Sequence, residues 1–142
     1  APGLGKLYSR SFFRLVARRL AAGGAVATQA TSPFRSREAF WCIVHTMEDG
    51  LGGNRPDGRL AVHPYHTLVP TFGTWGFAVA TASEVEPEQL TVEVPTRYLT
   101  NETLPGLFVF PPDMAEVPTP LSRLNDPVVC RLYRRGYHKY LE

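Results

Sequence analysis

Gly23-Gly24-Ala25-Val26-Ala27-Thr28-Gln29-Ala30-Thr31-Ser32-Pro33 reads as one strand between two helices, and the architecture follows from it. Residues 25–30 are short, mostly apolar and bounded by Gly-Gly and Ser-Pro. Such a run predicts a strand buried on both faces, as in a parallel sheet. Upstream, Leu4, Leu7, Tyr8, Phe12, Leu15, Val16 and Leu20 recur at spacings of three and four. That spacing predicts a helix with one broad apolar face, stopped by Gly23-Gly24. Arg10, Arg14 and Arg18 share the opposite stripe and read as a solvated face. Downstream, Ser36 is placed to cap a second helix over about 36–48, with Phe40, Ile43, Val44 and Met47 as its apolar stripe.

Residues 49–60 are rich in Gly and Pro and read as an exposed loop. Two strands follow, at about 61–69 and 76–82. The compact connection Pro70-Thr71-Phe72-Gly73-Thr74 suits an antiparallel pair. The last third is less regular. Residues 92–98 read as extended, Thr100 or Asn101 as the cap of a short helix into Leu107, and 128–141 as a short C-terminal helix, with Leu132, Tyr133, Tyr137 and Tyr140 at helix-like spacing. Helix alternating with apolar strand indicates an α/β sheet with an antiparallel strand pair at one edge. A right-handed crossover from the Gln29 strand through the second helix is the default. Three firm strands are few for a doubly wound sheet.

The chain has 142 residues, of which 44% are hydrophobic and 11% aromatic, enough apolar material for a packed core rather than disorder. A formal charge of +2 does not point to nucleic acid. No run of about 18 apolar residues exists to cross a membrane. Basic residues are spread through 1–20, unlike the short basic stretch and apolar run of a signal peptide. Cys42 and Cys130 are far apart with no C-x-x-C, so zinc and disulfide readings are poorly supported, and Cys42 reads as a buried free thiol. That usage suits a reducing cytosol.

No P-loop, G-x-S-x-G, H-E-x-x-H or G-x-G-x-x-G is present. Gly50-Leu51-Gly52-Gly53 follows a helix rather than a strand and reads as a turn, not a phosphate loop. His45, His63, His66 and His138 show no ligand spacing and read as surface residues. Two places are chemically odd. Gln29 puts an amide at the C-terminal end of an apolar strand, where ligands bind in open α/β sheets, or where it serves only as a structural amide. Val69-Pro70-Thr71-Phe72-Gly73-Thr74-Trp75-Gly76-Phe77 is an aromatic turn fit to wall an apolar ligand site, or simply to pack a hairpin.

Leu7-Tyr8-Ser9-Arg10-Ser11-Phe12-Phe13, then Leu20, Gly23, Gly24, Gln29, Ser32 and Pro33, and then Tyr65 through Phe77 resemble the spermidine synthase family of polyamine aminopropyltransferases. The family pattern is L-[FY]-x-x-x-[FY]-[FY], L-x-x-x-G, a strand ending in Gln, then a Tyr, V-P-[ST]-[YF] and W-G-F or I-G-F. The resemblance is close over about 4–80 and looser through 108–114, and it is nearest to the bacterial branch. It implies the C-terminal portion of a Rossmann-like sheet of the S-adenosylmethionine-dependent methyltransferase type. The expected division is 1–90 for sheet and helices and 91–142 for an irregular C-terminal extension.

The implied activity transfers an aminopropyl group from decarboxylated S-adenosylmethionine, the co-substrate of the complete enzyme, to putrescine or a related amine. By resemblance Gln29 lines the polyamine pocket. Phe72 stands where many members carry Tyr, so it offers a cation–π face without a hydroxyl. Thr71, Pro70 and Trp75 match neighbouring wall positions. The family's glycine-rich loop, ribose acid and D-x-x-D-P base segment match nothing in this sequence and would precede Ala1. The implication is therefore a chain without its catalytic base, binding no cofactor or metal alone, inactive without the missing N-terminal portion. A homo-oligomer is expected, with no nucleic acid partner and a cytoplasmic location or one on the cytoplasmic side of a membrane-anchored protein. The competing readings are a non-catalytic oligomerisation or binding module and a related methyltransferase.

Overall fold

A computed structural model describes residues 2–52 and 58–139. Their core is one long helix laid across one face of a small antiparallel sheet. Helix α1 spans Arg10–Arg19, strand β1 Val26–Gln29, helix α2 Arg37–Leu51, strand β2 Ala61–Val69, strand β3 Gly73–Thr81 and helix α3 Val128–His138. Short 3₁₀ segments occupy Pro2–Tyr8, Pro87–Gln89 and Leu104–Phe108.

The first helix expected from the sequence is two pieces. Ser9 breaks it, adopting an extended conformation (φ −98°, ψ 155°) while its Oγ accepts from the Phe12 N–H. Oγ also donates to the Lys6 carbonyl at 3.0 Å, so the buried hydroxyl closes both sides of the break. The break rotates the buried face. Phe13 and Ala17 become the buried residues, while Leu7 and Leu15 are exposed. Arg14 and Arg18 are exposed as anticipated, but Arg10 is half-buried and pairs with Asp49 on α2.

Among the described residues, strand β1 is not buried on both faces, and its one strand partner is antiparallel. It alternates half-buried with exposed residues and pairs antiparallel with β3. The sheet order is β1-β3-β2, and β2 also runs antiparallel to β3. Thus β1 and β2 run parallel to each other with β3 inserted between, and α2 is the connection that returns the chain. Only one sheet face is covered by α2, which is why β1 shows alternation rather than a continuous buried run.

Register assigns the faces. Ala78 and Ala80 of β3 are fully buried, opposite Pro64 and Val62 of β2. Gly76 shares that face because the Phe40 ring of α2 occupies its side-chain space: an added Cβ would lie 2.3 Å from Cε2. Trp75, Phe77 and Val79 point to the other face with Gln29 and Ala27 of β1 and with Thr67, Tyr65 and His63 of β2.

Helix α2 runs three residues beyond the expected end, so 49–51 are helical rather than loop. Leu51 is fully buried, and Gly50 backs onto Phe13 and the Arg10 carbonyl of α1. The rest of the glycine-rich stretch at 53–57 lies outside the described residues. Ser36 stands at the N-cap position but makes no capping bond, and its Oγ is buried without a partner among the described residues. Ser32 serves instead, its Oγ accepting from the Arg35 N–H at 3.0 Å and its carbonyl from the Ser36 N–H at 2.9 Å. The expected stripe Phe40, Ile43, Val44 and Met47 is buried, but so are Ala39, Trp41, Cys42 and Thr46.

The proline-rich segment 111–122 explains that second buried face. It lies along α2, accepting from Trp41 Nε1 at the Met114 carbonyl (2.9 Å) and from Arg37 Nε at the Ala115 carbonyl (2.7 Å). The Ser122 N–H donates to Thr46 Oγ1 at 3.0 Å. His45 joins the same clasp, with Nδ1 2.8 Å from Thr119 Oγ1 and Nε2 2.7 Å from Glu116. His66 is also half-buried rather than a free surface residue, 2.6 Å from the Val109 carbonyl and edge-on to Phe110. Residues 92–98 form no strand. Neither Thr100 nor Asn101 caps the short helical segment 104–108: Thr103 stands at its N-cap position without a side-chain capping bond, while Thr100 Oγ1 accepts from the Thr103 N–H in the turn before it. In α3 the buried residues are Val128, Val129 and Leu132. Tyr133 is largely exposed against Tyr137, and Tyr140 lies outside the described residues.

Candidate functional site

An open cavity of about 510 Å³ lies where the ends of β1 and β3 meet the 3₁₀ segment Pro2–Tyr8 and helix α3. One wall carries Tyr8, Gln29, Thr31 and Trp75; Cys130, Tyr133 and Arg134 of α3 form the other, over Ala39 and Ile43. The close approach of α3 depends on Gly5, where an added Cβ would lie 2.7 Å from Cys130 Sγ.

Backbone geometry aims the first wall. After Gln29 the chain turns sharply through Thr31 at φ 62°, an uncommon conformation for a residue with a β-branched side chain. Hydrogen bonds on both sides hold it: Ala30 N–H to the Gly76 carbonyl at 2.8 Å, and Gly76 N–H to the Thr31 carbonyl at 2.7 Å. This pairing sets Trp75 beside Gln29, and Trp75 Nε1 donates to Gln29 Oε1 at 3.2 Å. The Tyr8 hydroxyl donates to the Gln29 main-chain carbonyl, also at 3.2 Å.

Of the residues singled out in the sequence, Gln29 and Trp75 line the cavity together. Phe72 is exposed and reaches the site only through its ring contact with Trp75, 5.4 Å between centroids. Pro70 and Thr71 are exposed in the β2–β3 turn and do not line the cavity. That turn is tight, with Thr71 and Gly73 both at positive φ and the Phe72 N–H donating to the Val69 carbonyl at 3.1 Å.

Sequence reasoning did not single out Tyr8, Thr31 or the α3 residues as site residues. Tyr8 sits in the L-Y motif, so a signal existed for it. No local pattern connects Arg134 to Gln29, because only the packing of α3 brings them together.

The cavity is mostly apolar and aromatic. Burial pushes the Tyr8 hydroxyl up from its ordinary range, partly offset by a side-chain hydrogen bond from Thr28. Burial, then Tyr137, raises Tyr133 in the same way. Both phenols therefore stay neutral and act as hydrogen-bonding aromatic walls. Among the described lining residues Arg134 carries the only charge, and none is a carboxylate or imidazole. They can orient a ligand by π faces and by one amide, but they supply no base for an amine. No group of three or more His, Cys, Asp and Glu assembles as a metal site among the described residues.

Comparison with known proteins identifies relatives across nearly the whole chain. It is 37% identical over 139 residues, 97% of its length, to polyamine aminopropyltransferase 2 of Ralstonia nicotianae, of which it covers 26%. It is 38% identical over 141 residues, 96% of its length, to the polyamine aminopropyltransferase of Mycobacterium tuberculosis, covering 25% of that protein. The corresponding protein of Leptospira interrogans is 33% identical over 141 residues, 98% of this chain and 26% of its own length. No protein-family model matches. The chain thus spans about a quarter of the length of these curated relatives.

Proposed function

We infer that this chain, which belongs to the polyamine aminopropyltransferase family, is a C-terminal part of such an enzyme and forms one wall of its transfer site. The observation that carries the reading is the cavity itself, with the strand-end amide Gln29 held between Tyr8 and Trp75 and no carboxylate among the described lining residues. That is the arrangement expected of a wall that positions an amine while the acid groups come from elsewhere in the enzyme.

The larger fold is inferred in the same way. Strands β1 and β2 run parallel with β3 antiparallel between them, which fits the end of a Rossmann-like sheet of the methyltransferase type. β1 has a partner on only one side among the described residues, so its other edge is where such a sheet would continue. Among the described residues no helix is long and apolar enough to cross a membrane.

In the reaction, the lone pair of a neutral amine such as putrescine attacks the propyl carbon bonded to the sulfonium of decarboxylated S-adenosylmethionine. The carbon–sulfur bond breaks, and its electron pair stays on sulfur as the neutral thioether 5′-methylthioadenosine. The new ammonium loses a proton to a base that the described lining of this cavity does not contain. The contribution of this chain is binding and orientation: Tyr8, Trp75 and Tyr133 present π faces to a cationic chain, and Gln29 presents its amide.

The test compares the complete polypeptide with the 142-residue chain. With decarboxylated S-adenosylmethionine and putrescine, the complete protein forms spermidine and methylthioadenosine, and the chain alone forms neither. In the complete protein Gln29→Ala raises KM for the amine about ten-fold, the size of one lost polar contact. Turnover by the isolated chain, or none by the complete protein with any diamine, overturns the reading.

A further inference from the structure

We infer that Trp75 is a positioning residue, whose indole N–H fixes the orientation of the Gln29 carboxamide and so decides which end of that amide meets the substrate. The inference rests on the transfer-site reading above and goes beyond it in assigning Trp75 a role through Gln29. An indole Nε1–H can only donate. Its partner on Gln29 must therefore be Oε1, as the 3.2 Å contact has it, because the amide nitrogen has no lone pair to offer. With Oε1 engaged, Nε2 is the end left for the cavity.

Among the described residues, that is the only hydrogen bond to the Gln29 amide. Gln29 is exposed at the last position of a four-residue strand. The hydroxyls of Tyr8 and Thr28 bond its main-chain carbonyl and do not touch the side-chain amide. Trp75 is well suited to the task because it is itself fixed. Its neighbour Gly76 is clamped by two main-chain bonds to 30–31 and backed by Phe40. Its ring also packs against Phe72. Phe72 thereby acts one step further out, supporting Trp75 rather than touching the ligand.

The experiment is a double-mutant cycle in the complete protein. Trp75→Phe keeps an aromatic ring and removes the N–H. KM for the amine is expected to rise about three- to ten-fold with kcat within about two-fold, the range for one net hydrogen bond. In a Gln29→Ala background the same substitution is expected to raise KM by less than about two-fold, because the amide it acts through is gone and the phenyl ring keeps a π face in the wall. A merely structural role for Trp75 would give independent, multiplying effects in the two backgrounds. That outcome, or unchanged kinetics in Trp75→Phe, overturns the inference.

A second measurement needs neither activity nor a stable Trp75 variant. In NMR spectra of the complete protein, Gln29→Ala is expected to speed solvent exchange of the Trp75 indole proton several-fold. No change in that exchange overturns the inference. If the wild-type complete protein transfers nothing, the transfer reading fails, and the exchange experiment still decides whether the indole holds the amide.

Discussion

The two faces of the three-stranded sheet obey different rules. On the α2 side the strands present Gly76, Ala78 and Ala80, and the large residues come from the helix: Phe40, Val44 and Met47, all fully or almost fully buried. On the opposite side the strands present the large residues themselves, Trp75, Phe77, Tyr65 and Gln29, and these are half-buried or exposed. Tyr65 stacks on Phe77 at 5.3 Å and touches Phe108 of the 3₁₀ segment at 5.5 Å, which covers part of that face. The covered face is a jigsaw that sets stability. The open face contributes Gln29 and Trp75 to the cavity, and these groups keep room to meet a ligand.

Removing one aromatic ring from each face should separate the two rules by the largest margin. Phe40→Ala is expected to cost about 3–5 kcal/mol, because it opens a cavity under Gly76 and Ala78. Phe77→Ala, on the half-buried side, is expected to cost about 1–2 kcal/mol. Urea unfolding of the complete protein measures both, and equal costs would erase the distinction between the faces.

The two cysteines sharpen the same contrast. Cys42 on α2 is fully buried, and its Sγ lies 3.2 Å from the Pro120 carbonyl. Burial pushes its thiol up to about 11 from the ordinary 9.0, partly offset by a hydrogen bond with Thr46. Cys130 is half-buried in the cavity wall. At pH 8 a thiol reagent is expected to label Cys130 within minutes and to leave Cys42 unmodified until the protein unfolds, as read by mass spectrometry. The raised Cys42 value also has a stability consequence. Its thiol favours the folded state below about pH 9, and that contribution is lost as pH rises toward 11, because the unfolded chain ionises first. A denaturation midpoint that falls over this window in the wild type but less in Cys42→Ala is the expected result.

The smallest effect belongs to the outer surface. Arg135 of α3 pairs with Glu38 of α2, but both side chains are largely exposed. Glu38→Gln is expected to change stability by less than about 0.5 kcal/mol, because water and salt screen such pairs. A loss well above 1 kcal/mol in the same unfolding assay would show that α3 is held by charge rather than by Val128, Val129 and Leu132.

Much of this contrast was legible in residue order. The β2 strand falls at the residues its apolar run marks, and Phe40, Ile43, Val44 and Met47 form a buried stripe of α2. Gln29 and Trp75 were visible as chemically odd positions, and they meet at 3.2 Å. Other features were not legible. The apolar spacing through 4–20 continues across Ser9, so nothing in the periodicity signals that this hydroxyl ends one segment and starts another. The expectation of a β1 buried on both faces came from apolar composition alone, which does not say whether a second layer exists to cover the strand. The strap at 111–122 was unreadable because several of its bonds to α2 run through main-chain groups, which every residue has, and its side-chain contacts to His45 join residues more than 70 positions apart.

By itself the sequence determined the order α1-β1-α2-β2-β3-α3, the α2 stripe of Phe40, Ile43, Val44 and Met47, and the strand-end amide, because these depend on spacing and on groups carried by single residues. Tertiary structure alone decided that β3 lies between β1 and β2, that α3 closes a cavity over Gln29, and that Trp75 rather than Phe72 stands against the amide. Those outcomes depend on distances between residues far apart in the chain. Such distances are set by packing and by which backbone groups find partners, and no local pattern records them.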